Sequence, residues 1–285
     1  AEAFWNAGWQ VRVFDRKTDS LPEAATGADV IVNAWNPPYT DWAREVPRLT
    51  AEVIAAAQAS GATVIVPGNV YVYGEGSPET LGPDTPHAAT NPLGRIRIEM
   101  EDAYRRSGVR TILLRAGDFI DTEASGNWFD TVIVKSLDRG VITAPGAREV
   151  PHAWAYLPDL TRAAVLLAER RETLETFHEV GFPGFTLSLE DLARLIGRAT
   201  GRDVRVRAFP WWQIVLALPF WAMGRRLFEM RYLWSMPHRI DGTGFDALLP
   251  GFPATDPVTA IAGAIGHKIH PDDPVPRRAP HVATE

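Results

Sequence analysis

Apolar residues recur along this chain in short runs of strand length, separated by longer stretches in which they return every three or four positions. Residues 29–34 (DVIVNA) and 63–66, within ATVIVPGNV, are continuous runs of the kind that suits strands covered on both faces. Residues 110–115 (RTILLR) and 176–180 predict two further strands, and residues 9–14 (WQVRVF), β-branched and aromatic, predict a short one followed by Asp15. Between them, residues 42–60 (WAREVPRLTAEVIAAAQAS) read as a helix closed by Gly61, 93–107 as a second helix and 158–170 as a third. Residues 1–8 (AEAFWNAG) read as the end of an amphipathic helix stopped at Gly8. Strands alternating with helices at this spacing predict an α/β fold, a doubly wound parallel sheet with right-handed crossovers. The pattern loosens over 119–150, and 187–266 reads as helix and loop. From 271 a tail rich in proline and charge (PDDPVPRRAPHVATE) is expected to be flexible.

Composition removes several function classes. A length of 285 residues allows about two domains. With 29 basic against 35 acidic residues the net charge is −6 and there is no Lys/Arg block, which argues against nucleic acid as a partner. Cysteine is absent, so disulfides, thiolate metal sites and cysteine nucleophiles are excluded. The longest apolar stretch, 211–223, is interrupted by Gln213 and Pro219 and falls short of the roughly 20 residues that span a bilayer. No signal segment opens the chain, so stable membrane insertion is not expected and a soluble, cytoplasmic protein is. The seven histidines show no pair at metal-ligand spacing supported by acidic helpers; His267 and His270 are three apart but adjoin the tail, and no metal is expected.

Residues 64–74 (VIVPGNVYVYG), 91–101 (NPLGRIRIEME), 111–120 (TILLRAGDFI) and 153–167 (AWAYLPDLTRAAVLL) follow DVIVNA in an order that resembles the extended short-chain dehydrogenase/reductase superfamily, the NAD-dependent epimerase/dehydratases. The resemblance implies a Rossmann-like dinucleotide-binding domain over 1–180, with 119–150 contributing to a substrate cleft. It also implies a smaller, mostly helical substrate subdomain over 181–270, ahead of the 271–285 tail. A domain of this type opens with a strand and a glycine-rich turn that receives the cofactor pyrophosphate, and an acidic residue follows about 20 residues later. With Asp15 in that acidic position, the glycines fall before Ala1, and the chain reads as lacking about 15 residues of such a domain. The alternative is a fold that never had that strand.

The departures from the family pattern are as informative. Where the family carries a Tyr-x-x-x-Lys helix, the tyrosine as general acid/base and the lysine lowering its pKa, this chain has Leu93 and Arg97. Where the family carries a serine or threonine, this chain has Gly68, Asn69 and Val70, of which Asn69 alone donates a side-chain hydrogen bond. It is therefore similar to the atypical branch of the superfamily, which keeps the fold and cofactor site without the usual dyad.

The resemblance implies NAD or NADP as cofactor. Asp15 would accept the ribose hydroxyls of NAD, whereas Arg16 would stack on adenine or pair with the 2′-phosphate of NADP. Asn33, Ala34 and Trp35 end the third strand on the ligand side, Pro67 and Gly68 end the fourth, and Ala116 and Gly117 follow the fifth. Asn33 is equally well read as a turn cap. Arg97 is read either as a ribose contact or as a salt-bridge partner of Glu101. Catalytic candidates are Asn69, Tyr71, Tyr73 and Asp118: strand alternation would put both tyrosines on one face, and Asp118 as a surrogate base would need a pKa raised by burial. Loop capping is the alternative for Asp118, and packing for Tyr73.

Trp211, Trp212, Phe220, Trp221 and Trp234 read as the core of a helical subdomain, the lining of a substrate pocket, or a surface resting on a membrane. Arg205, Arg207, Arg225 and Arg226 read as solvated surface or as holders of a substrate phosphate. The leading expectation is an NAD(P)-dependent oxidoreductase or epimerase/dehydratase-like enzyme acting on a carbonyl or sugar-type small molecule, with a homodimer left open. A non-catalytic NAD(P)-binding sensor or regulatory module is the alternative, and a peripheral membrane role a third.

Overall fold

The computed structural model describes residues 1–268; the tail expected to be flexible, and His270, lie outside them. In chain order the elements begin with α1 (Glu2–Asn6), α2 (Leu21–Ala25), β1 (Val30–Val32), α3 (Trp42–Ser60), β2 (Thr63–Gly68), β3 (Thr80–Leu81), α4 (Pro92–Ser107), β4 (Thr111–Arg115) and β5 (Asp118–Ile120). They continue with β6 (Val141–Ala144), β7 (His152–Tyr156), α5 (Leu157–Glu169), β8 (Phe177–Gly181), β9 (Phe185–Leu187), α6 (Leu189–Thr200) and β10 (Arg205–Ala208). The last are α7 (Trp211–Ala217), α8 (Ala222–Glu229), β11 (Arg239–Ile240), α9 (Thr243–Leu248) and α10 (Pro257–Ile265).

The central sheet is parallel throughout, in the order β1-β2-β4-β8. Its strands are apolar on both faces because both are covered. Val64, Val66 and Leu113 pack with Trp42 and Val53 of α3 and with Leu93, Met100 and Tyr104 of α4. Ile65, Ile112 and Leu114 turn the other way, onto Leu160, Ala163 and Leu167 of α5 and Phe245 of α9. This is the α/β, doubly wound pattern expected from the runs in the sequence. Gly61 closes α3 at φ 76°, a conformation that favours glycine.

The strand expected at residues 9–14 does not form. Among the described residues β1 is the outermost strand of its sheet, and residues 9–14 do not pair with its free edge, so they make no ladder hydrogen bonds. Residues 9–14 run as irregular backbone instead, with Trp9 edge-on to Phe4 and Phe14 against Trp35.

A second lobe is built from two separated stretches. Ile120, Phe129, Ile133 and Ile142 share one core with Trp154, with Leu192 and Ile196 of α6, with Trp234, and with Ile261 of α10. The sheet β5-β7-β9 links this lobe to the main sheet. Gly117 makes that junction close: a Cβ there would lie 2.1 Å from the Ala153 carbonyl oxygen, so glycine lets β5 press against β7.

Candidate functional site

The carboxyl ends of β1, β2 and β4 carry the residues expected around a ligand, and a buried ion cluster ties the β2 end to the β4 end. Arg115, 1% exposed, ends β4. Its Nε donates to Glu179 Oε1 at 2.6 Å, its Nη2 to Glu101 Oε2 at 2.8 Å, and its Nη1 to the Asn69 carbonyl at 2.5 Å. Desolvation alone would pull the Arg115 pKa down; Glu101 and Glu179 outweigh it and push it up, so the guanidinium stays charged in the core. The cluster thereby fixes the backbone of Asn69, whose Oδ1 accepts from Tyr71 N at 3.0 Å.

Arg97, at the position where the resembled family carries lysine, is buried. Its Nη2 donates to the Pro67 carbonyl at 2.8 Å, its guanidinium lies 5.6 Å from the Trp42 ring centroid, and burial pushes its pKa down. The anticipated Arg97–Glu101 bridge is absent, because Glu101 is taken by Arg115. Leu93, at the tyrosine position, is fully enclosed in the α3–α4 core.

The two tyrosines do not share a face as alternation predicted. Residues Val70–Val72 form a turn of 3₁₀-helix, which breaks the period of two. Tyr71 and Tyr39 share a hydrogen bond between hydroxyls 2.6 Å apart, whereas the Tyr73 hydroxyl donates to the Gly82 carbonyl at 3.3 Å. Burial pushes all three phenols upward in pKa.

Asp118 is the carboxylate of the group that reaches solvent, its side chain being 22% exposed. Its Oδ2 accepts from His152 Nε2 at 2.7 Å. His152 itself is buried, its ring stacked on Trp234 at 4.3 Å and 4° and edge-on to His238 at 4.4 Å. His238 Nδ1 donates to the Met236 carbonyl at 2.8 Å, while His152 Nδ1 and His238 Nε2 have no hydrogen-bond partner. This Asp118–His152–His238 cluster was not read from the sequence. Asp118 and His152 stand far apart in the chain without a motif spacing; the β5–β7 pairing, with Asp118 opposite Trp154, brings them within reach.

Burial, reinforced by His152, pushes the His238 pKa from 6.5 down to about 3. Between those values the unfolded chain binds a proton that the folded chain refuses, so stability is present above pH 6.5 and is lost progressively as pH falls toward 3. The His238 contribution to the slope is about 1.4 kcal/mol per pH unit over that interval. Urea unfolding between pH 4 and 7 is expected to show a shallower pH dependence for His238→Asn, by about that amount; equal slopes would contradict the assignment.

At the β1 end, Asn33 Nδ2 donates to the Tyr104 hydroxyl at 2.8 Å and its Oδ1 accepts from Trp35 N at 3.3 Å, which is the turn-capping role. Arg16 lies over the Trp35 ring, 5.5 Å from its centroid. Asp15 is exposed, and its Oδ1 accepts from Lys17 N at 2.9 Å. Ala34 falls between the Asn33 cap and the Trp35 platform. Pro67 and Gly68 end β2, Gly68 close to the backbone of Arg115, and Ala116 and Gly117 are buried against neighbouring strands. Two cavities of about 740 and 270 Å³ open elsewhere, the larger beside Asp121, Thr122 and Glu123, just beyond β5. Neither is lined by Asn69, Tyr71, Tyr73 or Asp118. Among the described residues no group of three or more His, Asp or Glu side chains could hold a metal.

Neither a family model nor a curated relative matches the sequence. Solved structures do. MoeE5 in complex with UDP-glucose and NAD superposes with a TM-score of 0.64 at 15% identity, over 90% of this chain and 84% of that one. L-threonine dehydrogenase from Phytophthora infestans gives 0.65 at 17% identity, over 87% and 81%. UDP-glucuronic acid 4-epimerase from Bacillus cereus in complex with NAD gives 0.64 at 15% identity, over 89% and 77%. The chain has the fold of these epimerase- and dehydrogenase-type proteins, as the motif order led us to expect.

Proposed function

We propose that this chain binds NAD or NADP along the carboxyl edge of its parallel sheet and acts as an oxidoreductase or epimerase-like enzyme on a carbonyl or sugar-type small molecule. The observation that carries this reading is the Asp118–His152 pair, a solvent-reaching carboxylate hydrogen-bonded at 2.7 Å to a buried imidazole, in a fold whose neighbours are crystallised with NAD. It supplies an acid–base group where Leu93 and Arg97 supply none.

The residues fit the adenosine half of a dinucleotide. The Arg16–Trp35 pair offers an aromatic and cationic platform for adenine, and the Asp15 carboxylate beside it suits ribose hydroxyls. Asn69, whose Nδ2 is not engaged by the 3₁₀ turn, would offer a hydrogen-bond donor to a substrate oxygen. Bound there, the nicotinamide supplies hydride transfer. The chain's own part is proton movement: Asp118 takes or returns a proton at Oδ1, the oxygen not engaged by His152. His152 holds Oδ2 and steadies the charge, and Trp234 covers its ring and keeps water off it. His152 is a positioning residue, since it reaches substrate only through Asp118.

Calorimetric titration of the full-length protein with NAD, NADH, NADP and NADPH tests the cofactor. Saturable binding of at least one is expected, weakened about tenfold or more by Arg16→Glu. Absence of heat with all four would sink the proposal.

A second reading has an observation in its favour. Leu93 and Arg97 are core residues, so the helix that carries the dyad in the resembled family serves packing here. A non-catalytic dinucleotide sensor is built this way. In that case substitutions at Asn69, Tyr71 and Asp118 leave function intact while substitution at Asp15 abolishes it.

A further inference from the structure

The sequence reading of the tryptophan segment as core holds for part of it. Trp234 is buried in the second lobe, and Trp211 packs against that core and donates from Nε1 to the Pro145 carbonyl at 2.6 Å. Part of the α7–α8 hairpin faces solvent: Trp212 is 64% exposed, Leu216 70% and Phe220 95%, with Val215 and Trp221 also exposed, whereas Gly224 is buried and Ile214, Met223, Leu227 and Phe228 are half-buried. A folded protein leaves so dense an apolar projection uncovered where something else covers it.

The projection is firmly built. Arg225 Nη1 donates to the Leu218 carbonyl at 2.8 Å and reaches that of Pro219 at 3.5 Å, tying the start of α8 to the end of α7. The Trp221 ring lies on Gly224, where a Cβ would meet it at 2.4 Å. The exposed apolar side chains are thus held outward.

Along this segment itself the charge has one sign, although the Tyr39–Asp41 turn, which carries Asp41, packs against α8. From Val204 to Phe228 the sequence contains four arginines and no aspartate or glutamate. Arg205 and Arg207 stand exposed on the same face of β10, Arg225 is exposed beside the tip, and Arg226 pairs with Glu229 just outside this stretch. A second copy of the chain meeting this patch symmetrically would set arginine against arginine. An anionic surface meets both features, since guanidinium forks pair with phosphate and the aromatic tip enters the acyl boundary.

We propose that the α7–α8 hairpin is an adsorption element for anionic lipid bilayers, lying in the interface with Trp212, Leu216, Phe220 and Trp221 inserted and Arg205, Arg207 and Arg225 on headgroup phosphates. It does not span: α7 has 7 residues and α8 has 8, and no helix among the described residues is long and apolar enough to cross a membrane.

Co-sedimentation of the full-length protein with vesicles of phosphatidylcholine containing 30% phosphatidylglycerol, and with pure phosphatidylcholine, tests this. Binding is expected to the anionic vesicles, at least tenfold stronger than to neutral ones, and to weaken on raising salt from 50 to 500 mM. Leu216→Ser with Phe220→Ser, and separately Arg205→Gln with Arg207→Gln, are each expected to lower binding at least tenfold. Both pairs are exposed, so unchanged circular dichroism and thermal midpoint would exclude misfolding. Equal binding to both vesicle types, no binding to either, or variants that bind like the parent would overturn the proposal. So would self-association in sedimentation velocity that the serine pair abolishes, with no vesicle binding.

Discussion

Replacing Arg115 by methionine is expected to destabilise the protein by about 3–5 kcal/mol. The cost comes from what is left behind. Glu101, 1% exposed, would keep only His87, 3.8 Å away, and Glu179, 7% exposed, only Arg105, also 3.8 Å away, in place of the guanidinium that makes their burial tolerable. Lysine is not expected to rescue, because one ammonium cannot reproduce a fork that engages Glu101, Glu179 and the Asn69 carbonyl together. One feature identifies the mechanism: the triple change Arg115→Met, Glu101→Leu, Glu179→Leu should recover most of the loss, since apolar replacement of a whole buried ion cluster is often neutral or better. Urea unfolding of both variants at pH 7 measures this; a loss under about 1 kcal/mol for Arg115→Met would show that the cluster is not closed as described.

Turnover by Asp118→Asn is expected to fall roughly 10²–10⁴-fold, the range for loss of a general acid or base, with dinucleotide affinity unchanged. The amide keeps the shape and the contact to His152 but cannot carry a proton. His152→Gln is expected to have a smaller effect on rate, because the imidazole positions Asp118 without touching substrate. Nicotinamide absorbance over pH 5–9, with whichever substrate of a carbonyl and alcohol panel is turned over, gives both values. Full turnover by Asp118→Asn would remove Asp118 from the chemistry, and binding of dinucleotide without turnover of any substrate by the parent would favour the sensor reading.

Much of the main domain was legible in the chain because local pattern and final burial coincide there. The stretch 42–60 is α3, 93–107 lies within α4, 110–115 contains β4, and 176–180 overlaps β8. These segments carry their own period and end signals, Gly61 among them, so their character does not depend on distant partners. Residues 9–14 carry a strand pattern as clear as any, yet a strand exists only beside another strand. Tyr71 and Tyr73 failed for a related reason: the run through Val70–Val72 alternates in sequence, but Asn69 caps a 3₁₀ turn there and rotates the two side chains apart. The tryptophan segment divides because periodicity marks an apolar face without saying whether protein, lipid or solvent lies against it.

By itself, then, the sequence determined the layered α/β order of strands and helices, the mildly acidic and cysteine-free character, and the presence of Leu93 and Arg97 at the positions where the resembled family carries its dyad. Those are properties of residue identity and near-neighbour spacing. Only the tertiary structure decided that Asp118 meets His152, that His238 closes behind it, that Arg115 rather than Arg97 takes Glu101, and that Phe220 stands in the open. Each of these depends on strand register and close packing between segments far apart in the chain, such as Gly117 against Ala153, and contacts of that range leave no spacing signal in a single sequence.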